Sequence, residues 1–240
     1  MNSLVYIHVP KCGGTSFGSA LRLRYFYSQS TIRLRDSRSL QKALYPEARG
    51  LDRINREYQV RDVLLAQLME RRLRCVSAHA RYHPRLHARY RDRSSFVTLL
   101  RHPIDRFVSH YHYLQRHHPN SARPETLEAF LDTQDAARLA AQFLFYFART
   151  LPFETNDLNG AIGEARGALE QFSLIGDLSR PAAFHSALEA LARTPLVVPR
   201  RNRAPWAAIG PTGDIMRRIT ELCAVDISIY EHAQSLRHCA

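Results

Sequence analysis

The run Leu4-Val5-Tyr6-Ile7-His8-Val9-Pro10-Lys11-Cys12-Gly13-Gly14-Thr15-Ser16-Phe17 passes from strand to helix across two glycines. An apolar strand leads into Pro10-Lys11, and two hydroxyl residues then open an amphipathic helix. That order builds an anion cradle: glycines let the backbone turn tightly and approach a ligand, and a helix start offers unpaired N–H groups. Thr15 or Ser16 can cap the helix or donate a hydroxyl to a phosphate oxygen. Lys11 adds a full positive charge at the same spot. The Walker A loop GxxxxGK[ST] puts its lysine after the last glycine, whereas Lys11 precedes both, so the spacing does not predict an ATPase or a kinase.

The arginine bias sharpens Lys11. Of 34 basic residues only Lys11 and Lys42 are lysines. A lysine is a compact, mobile point charge that follows a changing charge on one oxygen, whereas arginine prefers a planar two-point grip. Against chance in an arginine-rich composition, its place in the cradle favours a chemical role.

A second segment repeats the architecture. Ser95 to Leu100 reads as a buried strand, followed by Arg101-His102-Pro103, with Pro103 suited to the first turn of a helix. Ile104, Phe107, Tyr111 and Leu114 recur at helical spacing and are expected to face the core. Arg101 leaves the strand end and Ser109 lies off the apolar stripe. Both are expected to reach one anion above the strand ends, where open α/β sheets hold ligands. Arg106 either assists them or is a solvent-facing or structural arginine.

Together these segments resemble the sulfotransferase superfamily, and within it family 2, carbohydrate sulfotransferases of the heparan sulfate 2-O-sulfotransferase type. Pro10 to Phe17 matches the family's Pro-Lys-x-Gly-Gly-Thr-Ser-Phe loop. Arg101, Pro103, Arg106, Ser109 and Tyr111 match its Arg-x-Pro-x-x-Arg-x-x-Ser-x-Tyr segment in register, with His102 where the family usually has an acidic residue. The resemblance implies 3′-phosphoadenosine 5′-phosphosulfate (PAPS) as co-substrate, without a metal. It puts Lys11, Gly13, Gly14, Thr15 and Ser16 around the 5′-phosphosulfate, with Lys11 at the leaving phosphate, and Arg101 and Ser109 around the 3′-phosphate. It implies a P-loop-like three-layer α/β/α fold with a central parallel sheet, one sulfotransferase domain over residues 1–240, and an acceptor hydroxyl on a glycan or glycoconjugate.

Cys75-Val76-Ser77-Ala78-His79 reads as another short strand ending in histidine, and the resemblance makes His79 the catalytic base, with Ala78 where the family commonly has glycine. A histidine that is neutral near physiological pH can accept a hydroxyl proton. The residues alone leave other readings open, because the chain has 12 histidines. His83 and His87 follow at four-residue steps and suggest a metal site, but Pro84 interrupts that helix and no cysteine or carboxylate cluster completes it.

Strands alternating with helices argue for a parallel sheet covered on both faces. Phe172 to Gly176 reads as a further strand, then a turn at Asp177-Leu178-Ser179-Arg180-Pro181 and a helix through Leu191. Asp177 and Ser179 only approximate the Gly-x-Thr-Glu of the family, so no role is carried over. Residues 36–74 are helical in pattern, rich in arginine, and expected as an insertion between the first strand-helix unit and the second strand. A polar loop over 116–125 is expected to precede one long helix to about Ala148. Arg200-Arg201-Asn202-Arg203 reads either as a donor or acceptor contact or as a solvated basic loop. Two helices close the chain, through Ile215, Ile219 and Leu222 and through Ile227 to Tyr230.

At 240 residues and 45% hydrophobic, the chain can bury a substantial core without disulfides. Cysteines at 12, 75, 223 and 239 show no metal spacing. Cys12 is either a thiolate favoured by the nearby positive charge or a small filler beside the glycines. No stretch approaches the roughly 18 apolar residues of a membrane helix, and a strand beginning at residue 4 leaves no room for a leader. The expectation is a soluble, cytoplasmic enzyme of bacterial type. A net charge of +12 attracts polyanions. Beyond the donor, the surplus suits an acidic glycan or a membrane surface, and a nucleic acid is not expected. Tyrosines and histidines interleaved with arginines over 81–93 suit either ring stacking or a solvated face. Two rival classes remain, a magnesium-dependent phosphotransferase, for which no Walker-type acidic strand end is found, and a non-catalytic polyanion-binding protein.

Overall fold

The computed structural model describes residues 2–117, 123–199, 213–236 and 239–240. Five parallel strands form one sheet: β1 (Ser3–Ile7), β2 (Gln29–Thr31), β3 (Cys75–Ala78), β4 (Ser94–Leu100) and β5 (Leu174–Asp177), in the order β2-β3-β1-β4-β5. The three central strands β3, β1 and β4 are almost wholly buried, as parallel strands covered on both faces must be. Successive side chains of β1 feed opposite layers. Leu4 and Tyr6 pack with Phe17 and Leu21 of α1 (Gly14–Arg24) and with Phe184 and Leu188 of α10 (Pro181–Ala192). Val5 and Ile7 pack with Leu65 of α3 (Gly50–Glu70), Phe143 and Phe145 of α8 (Gln142–Phe147), and Leu169 of α9 (Leu158–Glu170). The result is the three-layer α/β/α fold expected from the sequence.

Two local expectations change. β2 is a polar edge strand that precedes the helical segment. The arginine-rich insertion, α2 (Leu34–Leu44) and α3, therefore enters after β2, and Cys75–Ala78 is the third strand in chain order. The single helix expected up to Ala148 is three: α6 (Leu127–Leu131), α7 (Gln134–Ala140) and α8. The hydroxyls of Thr126 and Thr133 accept the N–H groups of Ala129 and Ala136 at 3.3 and 3.1 Å and so start α6 and α7. The third start is made from afar. Asp226, in α12 (Ala224–Ser235), accepts the N–H groups of Phe143 and Leu144 at 2.8 and 3.1 Å. α11 (Gly213–Leu222) and α12 are the two closing helices read from the sequence. Cys239 and Ala240 then lie along β5, where Ala240 donates to Ile175 at 2.9 Å and accepts from Asp177 at 2.8 Å, which covers that sheet edge.

Candidate active site

Register brings three loops together. Ile7 is opposite Ala78 on one side and Thr98 on the other. The segments that leave β1, β3 and β4, carrying Lys11, His79 and Arg101, therefore emerge side by side at the strand ends where open α/β sheets bind ligands. α4 (Pro84–Tyr90) and α5 (Pro103–His117) carry the chain away from β3 and β4.

The first loop turns through two left-handed residues, Lys11 (φ 67°) and Gly13 (φ 72°). For lysine that conformation costs roughly 1–3 kcal/mol, so the fold holds Lys11 there against its backbone preference. Gly13 is the N-cap of α1, with no side-chain cap and no acidic residue in the first turn. Thr15 and Ser16 lie inside that turn, so neither is the cap the sequence allowed for, and no side chain caps the first N–H groups. Gly14 is required by a neighbour: a Cβ there would stand 2.0 Å from Cδ2 of His8. Gly14→Ala is expected to push the His8 ring aside at an overpacking cost of about 1–3 kcal/mol. In a chain of this size that lowers the midpoint of thermal unfolding by roughly 2–12 °C, read by circular dichroism.

Around this cradle the charge is positive. Nζ of Lys11 sits 4.2 Å from the centroid of the Tyr113 ring. Burial, then the charges of Arg101 and Arg116, lower its pKa. No ion pair to Lys11 or Arg101 occurs among the described residues. Cys12 is buried and its thiol is pushed up to about 12, because burial outweighs the charges of Arg106 and Arg101. The thiolate reading of Cys12 is thereby overturned in favour of the filler reading.

The second segment divides. Arg101 leaves β4 partly exposed beside Lys11, as expected. Arg106 is fully buried, donates to the Leu139 carbonyl and stands 3.7 Å from Asp226, so it is structural. Ser109 lies three residues on, on the same inward side of α5, and is buried. The helix buries a wider face than its apolar stripe implied, and Ser109 sits inside the rim. Tyr111 ties α5 to the Glu125 carbonyl at 2.9 Å.

His79 is the most constrained group of the site. Its Nδ1–H donates to the His8 carbonyl at 2.9 Å, since a carbonyl can only accept. That fixes the tautomer and leaves Nε2 with a lone pair. The His8 ring lies against it, centroids 4.0 Å apart. From the insertion, Arg61 donates to the His79 carbonyl at 2.9 Å, and is itself held by Glu57, by Ser37 Oγ at 3.2 Å and over the Tyr58 ring. Burial and the charges of Arg61 and Arg22 lower the His79 pKa to about 4, so the ring is neutral at pH 7. His8 and Arg61 are the residues sequence reasoning missed. Only the i,i+4 spacing of Glu57 and Arg61 hinted at a fixed pair, and nothing in it pointed to His79.

Nε2–H of His87 donates to the Gln171 carbonyl, 3.1 Å away, and among the described residues no group of three metal-binding side chains forms. Tyr82, His87 and Tyr90 turn into the core, which leaves His83 as the one partly exposed aromatic ring of the interleaved segment 81–93. Arg200 to Arg203 lie outside the described residues.

A parallel three-layer fold with an uncapped, cation-flanked helix start at its strand ends defines an α/β protein whose site chemistry suits an anionic group. The model of the sulfotransferase family matches residues 1–148, which include both loops and His79. The chain belongs to that family, and its activity is in general terms sulfotransfer. Comparison with the curated proteins gives no match. Among the described residues no helix is long and apolar enough to cross a membrane.

Proposed function

We propose that the chain moves the sulfuryl group of PAPS to a hydroxyl of a carbohydrate acceptor, with His79 as base. The observation that carries this reading is the His79 tautomer: a ring pinned at Nδ1, with Nε2 free to accept a proton, beside an uncapped helix start. PAPS fits these residues because its phosphates need donors, and the site offers α1 N–H groups, two hydroxyls and two cations without an ion-pair partner among the described residues.

PAPS supplies the sulfuryl group when bound. The N–H groups of Gly13 to Ser16 and the hydroxyls of Thr15 and Ser16 hold the 5′-phosphate. Lys11 stabilises the negative charge that grows on the bridging oxygen as the bond to sulfur breaks. Arg101, with Ser109 behind it, holds the 3′-phosphate. Nε2 of His79 takes the acceptor proton while the hydroxyl oxygen attacks in line. The glycan reading is supported by a polar cleft of about 340 Å³ lined by Asn55, Gln59, Arg81, Arg149, Thr150 and Glu154. Asn55 and Gln59 lie on α3, the helix whose Arg61 holds His79, and amides, hydroxyls and guanidinium groups match the hydroxyls of a sugar.

Arg101→Ala is expected to weaken binding of adenosine 3′,5′-bisphosphate by roughly 10–150-fold, the loss of a charge-assisted hydrogen bond, and to leave 5′-AMP binding unchanged. Lys11→Ala is expected to lower kcat by about 10²–10³-fold with a smaller change in donor affinity. Calorimetric titration and single-turnover kinetics read the two effects. The function itself is tested by transfer of radiolabelled sulfate from PAPS to a panel of oligosaccharides in the presence of EDTA. Label on a sugar hydroxyl supports the reading. Phosphoryl transfer from magnesium ATP in place of sulfate transfer would overturn it.

A further inference from the structure

The end of the sheet opposite the candidate active site has a surface of its own. α1 runs down from the anion cradle for 11 residues, roughly 16 Å, and ends among the strand N-termini. There Phe26 and Tyr27 stand in solvent, 67% and 97% exposed, with ring centroids 5.2 Å apart. Leu23 beside them is 65% exposed, and Val197, beyond the end of α10, is 75% exposed. The α10 end is brought to the same side by the bond from Arg24 to Thr194 at 2.5 Å.

Arginines gather at the same end of the sheet. Arg74 donates its N–H to the Ser28 carbonyl at 2.9 Å, and the Arg93 carbonyl accepts from Ser3 at 2.9 Å, so both flank the start of the sheet. Arg24 at the end of α1, Arg71 and Arg72 after α3 and Arg91 before β4 add to the positive charge of this end, against which stand the carboxylates of Glu70 and Asp92. At the same end of the sheet, on its α3 side, lies a notch of about 300 Å³ lined by Ser3, Arg72, Arg93 and Ser94 together with the apolar Val5, Met69, Leu73 and Val76. Cationic groups beside an apolar lining are the complement of an anionic phospholipid, whose phosphate adjoins apolar acyl chains.

We infer that this end is a docking face for a membrane surface rich in anionic phospholipid. Exposed aromatic and aliphatic side chains enter the headgroup boundary, and the arginines meet its negative potential. The aliphatic pair decides against a nucleic acid, because Leu23 and Val197 have no part in stacking on bases. Docked this way, the chain holds Lys11, His79 and Arg101 on the side away from the bilayer. The inference stands independently of the sulfotransfer reading.

The test is co-sedimentation of the full chain with vesicles of phosphatidylcholine alone and of phosphatidylcholine and phosphatidylglycerol in equal parts. Pelleting with the anionic vesicles only, weakened by added salt, is expected. Phe26→Ser/Tyr27→Ser and Arg72→Glu/Arg93→Glu should each retain the parent's circular dichroism and melting midpoint. The arginine pair should bind at least about thirtyfold more weakly, from about 1 kcal/mol for each charge at the surface. Equal pelleting with both vesicle types, no pelleting at physiological salt, or unchanged pelleting of both variants overturns the inference. So does self-association without lipid that the Phe26→Ser/Tyr27→Ser variant abolishes, or retention of a DNA duplex in place of vesicles.

Discussion

His79→Ala is expected to lower kcat by about 10²–10⁴-fold and leave the affinity for adenosine 3′,5′-bisphosphate unchanged. The split follows from geometry. On the proposed reading His79 takes the acceptor proton, while the phosphate donors come from α1, Lys11 and Arg101. The pH profile adds a second readout. Because burial and Arg61 lower the free His79 pKa to about 4, protonation should reduce kcat/KM only as the pH falls toward 4. A bound anionic donor favours the imidazolium and raises that pKa, so the acid limb of kcat should lie at higher pH than that of kcat/KM. His79→Asn should lose both acid limbs along with the rate. Near-parental kcat in either variant would remove His79 from the chemistry.

Arg106→Ala is expected to cost about 3–5 kcal/mol of stability, a fall of roughly 6–20 °C in the thermal midpoint. Asp226 is fully buried and starts α8, and Arg106 is the cation beside it. Even so, burial raises the Asp226 pKa to about 6, above its model-peptide value near 3.9. A carboxyl raised in this way binds its proton more readily in the folded state, so its contribution is present at low pH and is lost as the pH rises through the folded pKa. Removing Arg106 raises that pKa further. The variant should therefore lose less stability at pH 5 than at pH 8, which urea unfolding at the two values would measure. The position matters because the second motif places Arg106 in line with Arg101. A variant that kept its stability and lost bisphosphate binding would return Arg106 to the phosphate.

The central sheet was legible because β1, β3, β4 and β5 are apolar runs bounded by turn residues. β2 was not, since Gln29-Ser30-Thr31 carries no apolar signal and its strand character comes from pairing with β3. The break before α8 was hidden for a similar reason: the cap is Asp226, more than eighty residues away in sequence. In the candidate site, the cradle and Arg101 could be read from local order. The support of His79 could not, because His8 and Arg61 act through backbone carbonyl contacts across 71 and 18 residues. Local spacing also left the role of Arg106 open and misjudged Ser109, whose burial is decided by the helices that α5 packs against.

The central proposal is a donor site that requires the 3′-phosphate. Calorimetric titration with adenosine 3′,5′-bisphosphate, beside 5′-AMP and ATP with magnesium, tests it most directly. Tight, metal-independent binding of the bisphosphate, with 5′-AMP far weaker, is the predicted result. Equal binding of the bisphosphate and 5′-AMP, or a preference for magnesium ATP, would contradict it.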